Sequence, residues 1–466
     1  MRKELISQMS IKDRETRWMR EHFTGVQHTT LNPEGPGVVR IHLVPPRPDG
    51  DGLSVAILNG QDIIPVGTAW TILLACFIEE VNCYAGRPVS DADVELIMKQ
   101  TCRAVRKVYP LLSGKRIRGD VYRIMDAFRR IARGETPSED VPFLSLGDYA
   151  PYMRAPHRMD LMVSAMTRGG RWHCNQKCIH CYAAGQPHAE EAELDTDAWK
   201  KVIDRCREAC IPQLTFTGGE PTLRPDLPEL IGYAAWFVTR LNTNGIALTP
   251  EYCETLRAAS LDSVQITFYS ADPAVHNALV GAEGFALTAA GIDNALAAGL
   301  NLSVNTPLCT RNRDYRATLE YLHEKGVRYV TCSGLITTGA AALSPSEALQ
   351  LSTEEIKSVL RDAVEYCYAN GMEISFTSPG WVEPEFCEEL GISVPSCGAC
   401  LSNMAVTPGG NVVPCQSWLS SDVLGNLLTD EWAEIWDGAA CADRRAESAR
   451  MLGVCPLRRG ERGTCE

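Results

Sequence analysis

The spacing of apolar and polar positions changes character twice along this 466-residue chain. A charged opening reads as a helix and is followed by a loop around Asn32-Pro33-Glu34-Gly35-Pro36-Gly37. Three short apolar runs, Val38–Val44, Leu53–Leu58 and Asp62–Val66, predict strands, the last two joined by an Asn59-Gly60 hairpin. The period then lengthens. Thr68–Tyr84, the stretch from the cap residue Ser90 to Val108, and Val121–Ala132 predict three helices, and 134–140 reads as a linker. Residues 38–133 thus form a β3α3 unit of winged-helix type. From about 158 to 378 strand and helix patterns alternate. The strands are Leu161–Met166, Gln213–Thr217, Trp236–Leu241, Ser263–Tyr269, Asn301–Asn305 and Val327–Thr331, with helices such as Asp197–Glu208, Tyr315–Lys325 and Thr353–Tyr368 between them. Such alternation means parallel βαβ units, and six of them suggest a partial barrel open on one side. Active residues of such folds gather at the carboxyl ends of the strands. Beyond 379 the alternation stops. One short strand pattern (Asn403–Thr407 with Gly410–Pro414), a helix near Glu431–Trp436 and six cysteines predict a separate, cysteine-bound subdomain.

Bulk composition narrows the function classes. At 45% hydrophobic and 22% charged residues the chain is ordinary globular protein, long enough for two or three cores. A net charge of −13 disfavours a general nucleic-acid surface. The charged N-terminus carries no signal-peptide pattern, and the most apolar stretch, Thr68–Cys76, is too short to span a bilayer. The expectation is a soluble, cytoplasmic protein without nucleic-acid or membrane partners. Nineteen cysteines are many for that compartment, and their clustering matters more than their number. Three fall in 174–181 and six from Cys397 to Cys465, a distribution that favours metal or iron–sulfur ligation over disulfides.

The segment Arg171-Trp172-His173-Cys174-Asn175-Gln176-Lys177-Cys178-Ile179-His180-Cys181-Tyr182 follows the first barrel strand. Its Cys-x3-Cys-x2-Cys spacing lets one loop ligate three irons of a cubic cluster and leave the fourth open. A structural zinc loop completed by His173, His180 or a distant residue is the alternative. The second strand ends in Thr217-Gly218-Gly219-Glu220-Pro221, where glycines permit close backbone approach and a carboxylate can accept hydrogen bonds from an ammonium group. The third ends in Thr243-Asn244-Gly245, the fourth carries Thr267, the fifth ends at Asn305, and Cys332 closes the sixth as either a core or a substrate-facing thiol.

The cysteine loop resembles the cluster motif of the radical S-adenosylmethionine (SAM) superfamily, and Gly218-Gly219-Glu220 resembles its Gly-Gly-Glu motif. The resemblance implies a [4Fe–4S] cluster on Cys174, Cys178 and Cys181. It also implies S-adenosylmethionine bound by Tyr182, Gly218, Gly219, Glu220, Asn244, Thr267 and Asn305. Reductive cleavage of that cofactor to a 5′-deoxyadenosyl radical is the implied chemistry; no residue is singled out as general acid or base. One departure stands out. Relatives often carry His-Asp-x-x-Arg after the fourth strand, and here the stretch is His276-Asn277-Ala278-Leu279-Val280, without the arginine.

Cys400-x9-Gly410-x4-Cys415 resembles the opening of the auxiliary-cluster domain, SPASM or twitch, of peptide- and protein-modifying members. Aligned on Cys465, the closing Cys-x2-Cys-x5-Cys-x3-Cys of two-cluster relatives meets Leu452, Cys455, Glu461 and Cys465. Two ligands are missing, which implies one auxiliary iron–sulfur cluster on Cys397, Cys400, Cys415 and Cys465, with Cys455 as substitute and Cys441 nearby. A zinc ribbon is the alternative for these thiols. The N-terminal unit resembles the recognition element that binds leader peptides as an added strand; a DNA-binding winged helix, disfavoured by the acidic balance, and a packing domain without ligand are the alternatives.

The expected architecture is therefore α/β: a partial (β/α)6 barrel (141–378) with an N-terminal winged-helix-like recognition domain and linker (1–140) and a C-terminal cysteine-rich auxiliary iron–sulfur domain (379–466). The expected function is modification of a ribosomally synthesised precursor peptide, by a thioether or other crosslink or by epimerisation. The resemblance also implies a reductant such as flavodoxin or ferredoxin. The same radical chemistry on a folded protein or a tetrapyrrole is the second reading. A metal-binding module without catalysis is the third.

Overall fold

The computed structural model describes residues 10–31, 38–47, 53–60, 62–85, 87–138, 140–343, 349–420, 423–450 and 454–457. The chain divides into two compact units, Met1–Arg154 and Ala155–Glu466. Among the described residues no helix is long and apolar enough to cross a membrane.

The first unit opens with helix α1 (Ile11–His22), started by Ser10. The Ser10 hydroxyl accepts from the Asp13 N–H while the Asp13 carboxylate accepts from the Ser10 N–H, a reciprocal cap that satisfies otherwise orphaned donors. Strands β1 (Gln27–Leu31), β2 (Val39–Val44), β3 (Ser54–Leu58) and β4 (Asp62–Val66) form an antiparallel sheet in that order. The Asn59-Gly60 turn closes as predicted, both residues at positive φ (48° and 72°), which matches the twist of a tight hairpin. Helices α2 (Thr68–Asn82), α3 (Asp91–Val108) and α4 (Gly114–Ala132) follow. Ile41, Leu43, Leu58, Ile72, Ile117 and Phe128 belong to one core. The β3α3 expectation needs correction, because the sheet has a fourth strand. β1 reads Gln-His-Thr-Thr-Leu and buries only its central Thr29, so it showed no apolar alternation. After the linker the chain returns to this unit, where the Leu144 N–H donates to the Ile63 carbonyl at 2.9 Å.

In the second unit β5 (Arg158–Ser164), β6 (Gln213–Gly218), β7 (Val238–Thr243), β8 (Ser263–Thr267), β9 (Asn301–Pro307) and β10 (Tyr329–Ser333) lie side by side and parallel. The connections run through α5 (Thr196–Glu208), α6 (Leu227–Tyr233), α7 (Pro250–Ala258), the pair α8 (Pro273–Val280) and α9 (Phe285–Ala297), and α10 (Tyr315–Glu324). Two features go beyond the six expected units. After α11 (Thr353–Ala369) a four-residue strand, β11 (Glu373–Phe376), pairs parallel with β10. The C-terminal segment also does not stand apart from the sheet. Its β12 (Asn403–Val406) pairs parallel with β5, and β13 (Asn411–Val413) and β14 (Gly425–Asn426) extend the sheet antiparallel.

The alternation of burial along the strands decides what the sheet encloses. In β8 Val264 and Ile266 are buried against the helical layer, while Ser263, Gln265 and Thr267 face the other way. β9 repeats this with Leu302 and Val304 against Ser303 and Asn305, and β10 with Val330 and Cys332 against Thr331 and Ser333. Cys332 is thus a core thiol. A closed barrel fills its centre with branched apolar side chains. This sheet presents hydroxyls and amides there instead, the composition of a chamber that takes a polar ligand.

Candidate active site

A cavity of about 660 Å³ opens along the polar face of the sheet and its carboxyl-end loops. Cys174, Cys178 and Cys181 line it, together with Tyr182, Gly218, Gly219, Glu220, Asn244, Thr267 and Asn305. Every residue expected at the cluster and cofactor site therefore faces one space.

The cysteine loop is held from three sides. A two-residue hairpin, with Gly169 and Gly170 at φ 58° and 70°, turns the chain after β5. The Lys177 and Ile179 amides donate to the Val280 and Leu279 carbonyls at 2.9 and 3.1 Å. Gly281 ends α8 at φ 63°, and a Cβ there would sit 3.1 Å from the Lys177 carbonyl carbon and closer still to its oxygen. From the far side the Ala340 N–H donates to the Cys181 carbonyl at 2.9 Å, and the Thr338 hydroxyl to the Tyr182 carbonyl at 3.2 Å. The stretch lacking the family arginine thus grips the loop through backbone carbonyls. His276 within it is fully buried among the rings of Phe268, Tyr269 and Phe285, and burial lowers its pKa to about 4. Asn277 accepts from the Gly284 and Phe285 amides at the start of α9. These residues build the support.

Glu220 joins the strand ends. One carboxylate oxygen accepts from the Thr222 N–H (3.0 Å), the Thr222 hydroxyl (2.6 Å) and the Thr243 hydroxyl (2.7 Å), the other from the Asn244 N–H (2.8 Å). Burial raises its pKa, while all of these donors act to lower it. The oxygen with a single donor keeps acceptor capacity for a cation in the cavity. The Asn244 amide donates to the Asn175 side-chain carbonyl at 2.6 Å, tying the third strand end to the cysteine loop. Gly218 adopts φ 135°, and its neighbour's N–H donates to the Ser164 carbonyl at 2.7 Å. Thr267 and Asn305 are register partners on adjacent strands, and the Asn305 side-chain Oδ1 accepts from the Thr331 hydroxyl at 2.8 Å.

The sequence does not anticipate Tyr269 in the cavity, and anticipates His180 only as a ligand of the alternative zinc loop. His180 lies 3.0 Å from the Tyr269 hydroxyl through Nε2, its Nδ1 is buried without a hydrogen-bond partner among the described residues, and burial lowers its pKa to about 4. Tyr269 in turn hydrogen-bonds with the Cys178 thiol. The position of His180 between two cysteines was visible; the strand geometry that brings Tyr269 there was not.

The donor set suits an iron–sulfur cluster with a chelated cofactor. Burial pushes the Cys174 thiol up to about 12, and raises Cys178 and Cys181 as well, so thiolates form there only against a compensating cationic centre. Among the described residues no three His, Cys, Asp or Glu side chains gather closely enough to hold a single metal ion.

The C-terminal thiols fall into two groups. Cys397, Cys415 and Cys455 line the same cavity as the cysteine loop, and burial pushes Cys415 up to about 12, with Cys455 and Cys397 adding to the shift. Cys400 does not line that cavity. At φ 54° it hydrogen-bonds Cys441, which raises the Cys400 pKa and lowers that of Cys441, and the Cys415 thiol also acts to raise it. The Arg445 guanidinium donates to the Cys441 sulfur at 3.7 Å. Cys465 lies outside the described residues.

Comparison with known proteins agrees with this geometry. Residues 173–322 match the radical SAM superfamily model, and residues 397–460 match the SPASM iron–sulfur cluster-binding domain. A PqqA peptide cyclase from Streptomyces rochei is 30% identical over 314 residues, covering 63% of this chain and 81% of the relative. An AdoMet-dependent heme synthase from Methanosarcina barkeri is 29% identical over 302 residues, covering 61% and 85%. Among solved structures, Streptococcus suis SuiB bound to precursor peptide SuiA superposes with a TM-score of 0.56 at 11% identity, over 84% of this chain and 87% of that one. Native anSMEcpe with bound AdoMet gives 0.51 at 16% identity, over 63% and 84%. At such identities the two structures speak for the fold alone. Together with the matched domains and the cyclase relative, the chain belongs to the radical SAM superfamily as an enzyme with a C-terminal SPASM domain, whose cofactors are a [4Fe–4S] cluster, S-adenosylmethionine and an auxiliary iron–sulfur centre.

Proposed function

We propose that this enzyme modifies a ribosomally synthesised precursor peptide, forming a crosslink or epimerising a residue. The observation that carries the reading is one polar cavity lined at once by Cys174, Cys178 and Cys181 and by Cys397, Cys415 and Cys455. A substrate in that space lies between both sets of thiols. The curated relatives point the same way, with peptide cyclases from several bacteria among them.

When bound, the cluster and cofactor would supply radical hydrogen-atom abstraction from the substrate. The residues of this chain arrange that event. Cys174, Cys178 and Cys181 hold the cluster, and the Lys177 and Ile179 amides fix their loop against α8. Glu220 receives the cofactor ammonium on its less occupied oxygen. Gly218 and Gly219 allow the backbone to approach, Asn244 fixes the loop, and Tyr182, Thr267 and Asn305 line the remaining cofactor wall. Cys397, Cys415 and Cys455 would hold the auxiliary cluster from the cavity side, while Cys400 hydrogen-bonds Cys441. The open antiparallel sheet β1–β4 takes the leader as an added strand. Electrons come from a flavodoxin- or ferredoxin-like donor in the cytoplasm.

The test is direct. The reconstituted protein, given S-adenosylmethionine, reductant and the short peptide encoded beside its gene, is expected to change that peptide's mass or the stereochemistry of one residue. A peptide unchanged by both criteria, with the cofactor cleaved, contradicts the reading. The heme synthase relatives favour a second substrate class, and conversion of a porphyrin instead of the peptide would select it.

A further inference from the structure

Deeper in the chamber than the cysteine loop, the wall carries charge that the radical chemistry leaves unused. Asp160, Thr215 and Arg240 are register neighbours across β5, β6 and β7, and Asn242 lies two residues along β7 on the same face. Arg158 donates to both oxygens of Asp160, Nε at 2.8 Å and Nη2 at 3.4 Å, so that carboxylate is already paired. Arg240 has no such partner. Its Nε is closed off from solvent without a hydrogen bond among the described residues, and the same holds for Thr215 Oγ1 and Asn242 Oδ1 beside it. The rest of Arg240 lines the cavity, as do Arg158, Thr215 and Asn242.

An unpaired guanidinium in a dry wall is costly, and so are unpaired hydroxyl and amide groups. Burial draws Arg240 down to about 10, and the Arg158 charge acts in the same direction, with only Asp160 opposing. Glu220, the acid that also lines the cavity, is engaged at the strand ends by its own donors. The wall therefore carries two guanidinium groups against one paired carboxylate, with the Arg240 Nε–H and the Thr215 hydroxyl as unpartnered donors and Asn242 Oδ1 as an unpartnered acceptor. A guanidinium presents a planar fork that matches a carboxylate.

We propose that Arg240, with Thr215 and Asn242 beside it and Arg158 across the wall, forms a carboxylate-binding subsite for an acidic group of the substrate. This rests on the peptide reading for its substrate and would hold the peptide from the chamber floor while the radical acts above. The chemistry is that of a carboxylate, supplied by an aspartate or glutamate side chain or by a peptide C-terminus.

Calorimetry on the reconstituted full chain, with and without saturating S-adenosylmethionine, tests the site with small probes. N-acetylglutamate α-amide offers only a side-chain carboxylate, N-acetylalanine only a terminal one, and N-acetylglutamine α-amide neither. At least one acid is expected to bind about tenfold or more tightly than the amide, in line with a charged hydrogen bond. Arg240→Gln should abolish that preference and Arg240→Lys restore part of it. The probe-free melting temperature of Arg240→Gln should stay level or rise, because an uncompensated buried cation is removed; a structural arginine would lower it. Equal binding of acid and amide, or an acid preference that survives Arg240→Gln, overturns the site. So does loss of probe binding on saturation with S-adenosylmethionine, which would assign the guanidinium to the cofactor carboxylate. The readout needs neither peptide nor turnover, so its failure is separable from failure of the peptide-modification assay.

Discussion

Alanine at Gly218 is expected to cost this enzyme about 2–6 kcal/mol of folded stability. A Cβ there would stand 2.8 Å from the Ser164 N and closer still to the Ser164 carbonyl oxygen, and both are strand backbone that cannot swing aside. The residue also sits at φ 135°, where an L side chain is strained by about 1–3 kcal/mol on its own. Overpacking adds about 1–3 kcal/mol more, against a typical domain stability of about 5–15 kcal/mol. A melting temperature lowered by roughly 10 °C, or loss of folded protein, is the expected result. Gly371→Ala is the control. It has φ 67° but open space around the new Cβ, so only the backbone strain of about 1–2 kcal/mol applies. Equal melting temperatures for the two variants would contradict the close packing of β6 against β5.

Glu220 separates structure from cofactor binding when two substitutions are compared. Glu220→Ala strips the acceptor from four donors at once, and about 3–5 kcal/mol of destabilisation is expected from breaking this buried network. Glu220→Gln keeps the shape and one good acceptor, so hydroxyl reorientation should limit its cost to about 1–3 kcal/mol. The glutamine variant lacks the charge proposed to face the cofactor ammonium. Affinity for S-adenosylmethionine, measured by equilibrium dialysis on the reconstituted protein, should fall about 10- to 100-fold. Unchanged affinity with Gln would limit Glu220 to tying the strand ends together.

Local signals in the sequence were read correctly where local chemistry sets the structure. Asn59-Gly60 demands a tight turn, and the cysteine spacing and Gly218-Gly219-Glu220 set out the site before any strand was paired. Features set by long-range pairing were not legible. β1 is polar because it lies at a sheet edge, and β11 is four residues long. β12 looked like part of a separate subdomain because nothing local shows that it pairs with β5. The missing family arginine was visible, but not that the Leu279 and Val280 carbonyls hold the loop. The C-terminal cysteines show the limit best. Cys397 and Cys400 look like one ligand pair, yet the turn at Cys400 directs its thiol to Cys441 while Cys397 faces the cavity. The charged row of Asp160, Thr215 and Arg240 spans three strands and has no signature in any one of them.

Cys174, Cys178 and Cys181 are expected to hold three irons of a cluster whose fourth iron stays open to the cofactor. Anaerobic reconstitution followed by metal and sulfide analysis, and by chromatography of the products formed with S-adenosylmethionine and dithionite, tests it most directly. The expected result is roughly four iron and four sulfide per cluster site, with 5′-deoxyadenosine and methionine released. Cys178→Ala should lose both the product and one cluster's worth of iron while the auxiliary iron stays. Zinc bound in place of iron at these cysteines, with S-adenosylmethionine left intact, would contradict the account.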